Sequence, residues 1–144
     1  MINLEQIAEH TLDALSQRGF DAAQVAASLS EQDEVYIGHN EANMLRSTEA
    51  QKLVLTGIVD GRKATTEVTD FDGDAVADAV NTLYETALLA PQDEANAVSN
   101  GQQLDYRKGP TNSDLDKLTD KVAELLAFRS EQTPLITKIG RAHV

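Results

Sequence analysis

Three observations predict an α+β fold, in which a helix, a three- to four-stranded and mainly antiparallel sheet and a second helix follow one another. Apolar residues recur at helical spacing within residues 3–18 and again within 76–88. Between these stretches apolar and polar residues alternate, as they do in half-buried strands. An Asp-Gly pair at 60–61 interrupts the alternation, which is typical of a two-residue hairpin turn.

The first helix is predicted over residues 3–18. Asn3 suits the N-cap, and Gln6 stands three residues later, as in a capping box. Arg18 suits the last turn, and Gly19 suits the left-handed position that ends many helices. The apolar stripe of this helix consists of Leu4, Ile7, Ala8, Leu12 and Leu15.

Several strands are predicted after this helix. Alternating apolar residues mark strands within 22–29 and 34–38, and a short one at 44–47. The clearest strands are 52–59 and 62–68, which the Asp-Gly turn joins so that Val59 opposes Arg62 and Leu53 opposes Val68. The small Gly57–Ala64 pair predicts the close approach of a helix. The face that this register predicts to be buried carries Leu53, Leu55, Gly57, Val59, Ala64 and Val68.

The opposite face of this hairpin is mostly polar but carries two apolar residues. Val54 and Ile58 lie among lysines, threonines and a glutamate. Isolated apolar side chains on a polar sheet face suit a contact with another protein. Val54 and Ile58 are therefore predicted to be exposed and are the candidate interface residues.

Two further helices are predicted. Asp72 suits the N-cap of the second, Asp74 its first turn, and Pro91 prevents its continuation. The third begins near Ser113, ends at Thr133-Pro134, and is followed by the start of a strand at 135–137. The predicted organisation is an N-terminal α+β domain (1–91), a linker (92–112) and the start of a second region (113–138).

Composition excludes several classes of protein. The chain of 144 residues has 12 Lys and Arg against 24 Asp and Glu, a formal net charge of −12. This charge argues against direct binding of nucleic acid or of anionic membranes. The absence of cysteine excludes disulfides and thiolate chemistry in this chain. No stretch suits a membrane span or a signal peptide, so a cytoplasmic location is predicted.

The last six residues, IGRAHV at 139–144, match a translation of the common sequencing-adapter DNA AGATCGGAAGAGCACACGTC. We therefore expect residues 139–144 to be an adapter artefact and the natural gene to continue. Without Arg141 the formal net charge becomes −13.

Candidate chemistry is sparse. The acidic run at 70–74 suggests calcium, but an EF-hand needs Gly at the position of Ala75 and Glu at that of Asn81, so a turn with a helix cap is the favoured interpretation. His10 is predicted on a solvated helix face and His39 in a surface turn, and no two histidines have metal-ligand spacing. We therefore predict no catalytic, cofactor-binding or metal-binding residue in this chain.

Three strings resemble the N-terminal domain of the TldD/PmbA family, the "modulator of DNA gyrase" metalloproteases. They are IVDGRK at 58–63, TDFD at 69–72 and LAPQD at 89–93, and the resemblance spans roughly residues 3–138. The chain departs from the family at 47–51, where a glycine-rich segment is usual, and at 64–67.

The resemblance implies that the parent protein is a metallopeptidase or its non-catalytic partner subunit. The family's divalent metal, expected to be zinc, is held by a His-Glu-x-x-x-His helix and a later cysteine, and this chain has neither. The resemblance further implies a partner TldD/PmbA subunit in a homo- or heterodimer, a non-catalytic role in assembly and in the substrate chamber, and peptides or unfolded segments as substrates. The strings are somewhat closer to the PmbA (TldE) type. The alternative is a free-standing acidic module that binds a basic partner, for instance as a mimic of nucleic-acid charge.

Overall fold

The computed structural model describes residues 2–133, 135 and 138–143, the last six by their backbone alone. The elements are α1 (Leu4–Arg18), β1 (Ala22–Gly38), β2 (Glu41–Val59), β3 (Arg62–Val68), α2 (Gly73–Leu89), α3 (Leu115–Gln132) and β4 (Lys138–His143). The four strands form one sheet in the order β3-β2-β1-β4, in which β2 pairs with β3, and β1 with β4, in antiparallel fashion. The predicted α+β fold is confirmed.

The helix boundaries follow from local chemistry. The Asn3 side chain accepts hydrogen bonds from the amides of Glu5 and Gln6, and Gly19 ends α1 with a φ of 111°. Asp72 caps α2 as predicted. α3 was predicted to begin near Ser113 and begins at Leu115: Asp114 is its N-cap, and the Asp114 carboxylate accepts the amide of Lys117.

The strands are longer than predicted. The separate strands predicted at 22–29 and 34–38 are one strand of 17 residues, and β2 continues through the polar residues 47–51 for 19 residues in all. Sheet hydrogen bonds join backbone groups, so polar stretches can pair without apolar alternation. His39 and Asn40, with φ of 51° and 67°, form the tight turn between the two strands.

The predicted β2–β3 register is confirmed at every pair from Val59–Arg62 to Leu53–Val68. Its inner face is buried as predicted, apart from Val68, which is half-buried. The expected role of Gly57 is wrong, however. A Cβ at Gly57 would lie 2.4 Å from a ring carbon of Phe20, so the glycine makes room for this aromatic side chain rather than for a helix.

The chain forms two compact units. Unit 1 comprises Met1–Leu29 and Ala50–Asp105, and unit 2 comprises Ser30–Glu49 and Tyr106–Val144. In unit 1, α2 packs on β3 and against α1 around an apolar core that includes Leu15, Leu53 and Leu83. In unit 2, Val35 and Ile37 of β1 pack with Leu118 and Val122 of α3.

Residues 92–112, the predicted linker, contain no helix or extended strand, and an isolated bridge joins Gln92 to Arg62. The predicted strand start at 135–137 has Leu135 in a turn, and Ile136 and Thr137 lie outside the described residues. β4 pairs with residues 34–38 of β1. This pairing involves backbone groups that almost any sequence provides, so the adapter origin of residues 139–144 stays a prediction.

Candidate functional site

The acidic run before α2 serves as a turn and a helix cap. Asp70 Oδ1 accepts the amide of Asp72 at 3.0 Å, and Asp72 Oδ2 accepts the amide of Asp74 at 3.2 Å. These bonds direct the carboxylates towards backbone amides, in agreement with the favoured interpretation. Among the described residues, no group of three or more His, Asp or Glu side chains is placed to hold a metal ion.

The two histidines before residue 138 lie in different units. His39 is exposed at the β1–β2 turn, as predicted. His10 is exposed on α1, also as predicted, but it additionally lines a groove between α1 and α2 that the sequence did not reveal. Helical spacing identifies the apolar stripe of each helix but not the gap between two helices.

This α1–α2 groove has a volume of about 240 Å³ and mostly apolar walls. Thr11 is 1% exposed, and its hydroxyl is satisfied because it donates to the carbonyl of Ile7 at 2.7 Å. His10 is the one titratable side chain among the described residues that line it. The walls are Ile7, His10, Thr11, Ala14, Phe71, Gly73, Val76 and Ala77.

Unit 1, which contains this groove, carries a large negative charge. Its two segments carry 14 Asp and Glu against 4 Lys and Arg, a formal net charge of −10. Lys52 pairs with Glu67 at 2.8 Å, and Arg62 donates to the carbonyl of Ala90. Arg18 lies 4.0 Å from the centre of the Tyr84 ring and donates to Asn81. Three of the four Lys and Arg side chains of unit 1 therefore already have partners.

The two candidate interface residues differ in exposure. Val54 is half-buried, whereas Ile58 is only 6% exposed, so the predicted exposure of Ile58 is wrong. Residues after α2 fold back towards this part of the sheet: the amide of Asp93 donates to the carbonyl of Gly61 and that of Ser99 to Gln24 Oε1. A structureless linker was expected after α2, and so these hydrogen bonds to Gly61 and Gln24 were missed.

In unit 2, Asp33 joins three parts of the chain. Its carboxylate accepts a hydrogen bond from the hydroxyl of Ser47 on β2. It accepts a second from the hydroxyl of Ser113, just before α3, with 2.5 Å between Ser113 Oγ and Asp33 Oδ2. These two hydroxyls, that of Ser113 first, lower the pKa of Asp33 below its ordinary value because they stabilise the carboxylate.

Unit 2 also buries charge. Glu34 is 2% exposed and Arg129 of α3 is 7% exposed. Arg46 Nε lies 3.0 Å from Glu34 Oε2 and keeps more than half of its own side chain in solvent. Sequence reasoning missed both buried groups, because charged residues on strands and helices are usually solvated.

Apolar side chains stay exposed in unit 2. A shallow cavity of about 250 Å³ lies between the β1–β2 hairpin and α3, and Met44 and Leu45 in its wall are 42% and 56% exposed. On α3, Leu125 and Phe128 are 38% and 58% exposed. No helix within the described residues is long and apolar enough to cross a membrane.

Neither a known family profile nor a curated protein matches this sequence. Solved structures do share its fold. TldE from Thermococcus kodakarensis is similar with a TM-score of 0.70 and 22% sequence identity. The matched region covers 88% of this chain and 30% of the TldE chain. A provisionally named modulator of DNA gyrase from Bacteroides thetaiotaomicron has a TM-score of 0.71 and 19% identity over 99% of this chain and 34% of its own.

A similarly named protein from Thermotoga maritima has a TM-score of 0.60 and 12% identity over 98% of this chain and 32% of its own. The chain thus spans about a third of the length of these structures, and it has the fold of that third.

Proposed function

We propose that this chain is the N-terminal, non-catalytic part of a TldD/PmbA-type metalloprotease subunit. In this role it contributes to subunit assembly and to the walls of the chamber that receives peptides or unfolded segments. The observation that carries the proposal is the fold likeness to TldE over 88% of the chain, together with the matching strings at 58–63, 69–72 and 89–93.

Peptide hydrolysis in such a protein belongs to another part of the polypeptide or to a partner subunit. A divalent metal, expected to be zinc, would supply an activated water there. We place the protein in the cytoplasm.

The exposed apolar side chains of unit 2 support a role in assembly. Met44, Leu45 and Phe128 expose large fractions of their surface, and burial of such groups favours association. Val54 is a weaker candidate because it is less exposed than these three side chains.

Recovery of the natural gene beyond residue 138 tests the family assignment. We expect an open frame that adds about twice the length of this chain, because the similar structures are covered to about a third. A genomic stop codon directly after IGRAHV would contradict both the assignment and the adapter origin of residues 139–144.

Light scattering of the full-length subunit tests assembly. We expect Leu45→Asp to shift the dimer towards monomer, because a carboxylate would be buried in the interface. Thr48→Asp is the matched control, since Thr48 is exposed on the same strand. An unchanged dimer with Leu45→Asp would exclude this surface from the interface.

A further inference from the structure

We propose that the α1–α2 groove of unit 1 binds a cationic peptide segment, in which one bulky apolar side chain is flanked by lysine or arginine. The proposal goes beyond the assembly role and does not depend on it. It specifies where, and how, a basic partner would be bound.

The size of the groove favours one side chain over a whole small molecule. Its volume of about 240 Å³ lies below the range of roughly 300–1,000 Å³ that is usual for drug-sized ligands. The groove is partly open to solvent, so a peptide on the surface can insert one side chain into it.

The walls favour an apolar side chain at that position. Ile7, Phe71 and Val76 are half-buried and pack against the core of unit 1, so their outer surfaces are held in place. The buried hydroxyl of Thr11 already donates to a carbonyl and needs no ligand. An inserted leucine or phenylalanine would therefore displace water from apolar surface without leaving that hydroxyl unpaired.

The charge next to the groove selects the flanking residues. Asp74 and Asp78 directly follow the wall residues Gly73 and Ala77, and Asp70 directly precedes Phe71. Asp13 directly precedes the wall residue Ala14. Adjacent residues on a helix point in different directions, so these carboxylates lie beside the groove walls rather than in them. Together with the net charge of −10 of unit 1, they provide a negative potential that attracts cationic flanks and repels an acidic peptide.

Fluorescence anisotropy with labelled pentapeptides tests the proposal on the full chain. We expect Lys-Lys-Leu-Lys-Lys to bind about tenfold tighter than Lys-Lys-Gly-Lys-Lys, since only the former fills the groove. We expect no binding of Glu-Glu-Leu-Glu-Glu. Equal affinity of the leucine and glycine peptides would reveal unspecific charge attraction and would overturn the proposal.

Two variants locate the site. Ala77→Arg places a bulky cation in the groove wall and should weaken binding of the leucine peptide about tenfold or more. Thr82→Arg makes the same charge change at an exposed position of α2 outside the wall, and should leave the affinity within about twofold. Equal losses in both variants would overturn the proposal.

A charge-only variant keeps the test independent of packing. Asp13→Asn changes an exposed side chain, so we expect an unchanged melting temperature, weaker binding and a smaller dependence on salt. Backbone NMR shifts on peptide addition should concentrate at Ile7, Phe71 and Val76. Shifts confined to unit 2, or an Asp13→Asn variant that binds like the parent, would refute the groove as the site.

Discussion

The two units keep their charges in different places. Among the described residues, unit 1 has a core cluster of nine buried apolar residues, and its net charge of −10 lies outside that cluster. Unit 2 has a net charge of only −2, but its buried residues include Glu34 and Arg129 beside a cluster of four apolar residues. Packing should therefore dominate the stability of unit 1, and ion pairing should contribute more to that of unit 2.

The largest effect is expected from Leu83→Ala in unit 1. Leu83 is 1% exposed within the core, and its truncation should lower the free energy of unfolding by about 2–5 kcal/mol through lost burial and a cavity. Urea titration followed by circular dichroism measures the change. Leu89→Ala is the matched control, because Leu89 is 88% exposed on the same helix. Equal stability of the two variants would contradict the packing of α2.

Overpacking at the β2–β3 hairpin should lower the free energy of unfolding by less than Leu83→Ala does. In Gly57→Ala the new Cβ would stand 2.4 Å from the Phe20 ring, which lies edge-on to Tyr84 and must move. We expect a loss of about 1–3 kcal/mol in the free energy of unfolding. Gly73→Ala meets no atom within 4 Å and serves as the control. A Gly57→Ala variant as stable as the control would show that Phe20 has room elsewhere.

In unit 2, Arg46→Ala removes the cation beside the buried Glu34 carboxylate. We expect a loss of about 1–2 kcal/mol, since Glu34 keeps a further interaction and Arg46 is largely solvated. Lys121→Ala breaks an exposed pair with Glu124 and should change the free energy of unfolding by less than about 0.5 kcal/mol. If the two losses were alike, the buried charge would be no special feature of unit 2.

The smallest expected effect is on stability at low pH and involves Asp33 of unit 2. The pKa of Asp33 in the folded protein lies below its ordinary value of 3.8. The ionised Asp33 carboxylate therefore stabilises the fold at pH values above 3.8, and this stabilisation is lost as the pH falls through the lower, folded-state pKa. Ser113→Ala should raise the pKa of Asp33 towards 3.8, as measured by carboxyl NMR titration, and Ser47→Ala should raise it less. Identical titration in all three proteins would refute the role of the hydroxyls.

Sequence patterns predicted unit 1 better than unit 2. The Asp-Gly turn and the strict alternation of apolar residues allow one register, so the β2–β3 hairpin was predicted at every pair. The polar residues of β2 at 47–51 carry no alternation, so the length of the strand depends on backbone pairing with a neighbouring strand.

The same limit applies to the candidate sites. Glu34 is buried beside Arg46 of the neighbouring strand, and Ile58 is buried on a sheet face that the sequence pattern predicted to be exposed. The α1–α2 groove depends on how far apart two correctly predicted helices pack, which no periodicity encodes. Exposure and cavities are thus properties of tertiary packing.

The interleaving of the two units has a consequence for synthesis on the ribosome. All residues of unit 1 have been added once Asp105 is reached, whereas the 30–49 segment of unit 2 still lacks α3. At about 5–20 residues per second, the residues up to Gln132 take roughly one to five seconds more. During this interval Val35 and Ile37 have no Leu118 or Val122 to pack against, so nascent chains are most prone to mispairing and to chaperone capture at this hairpin.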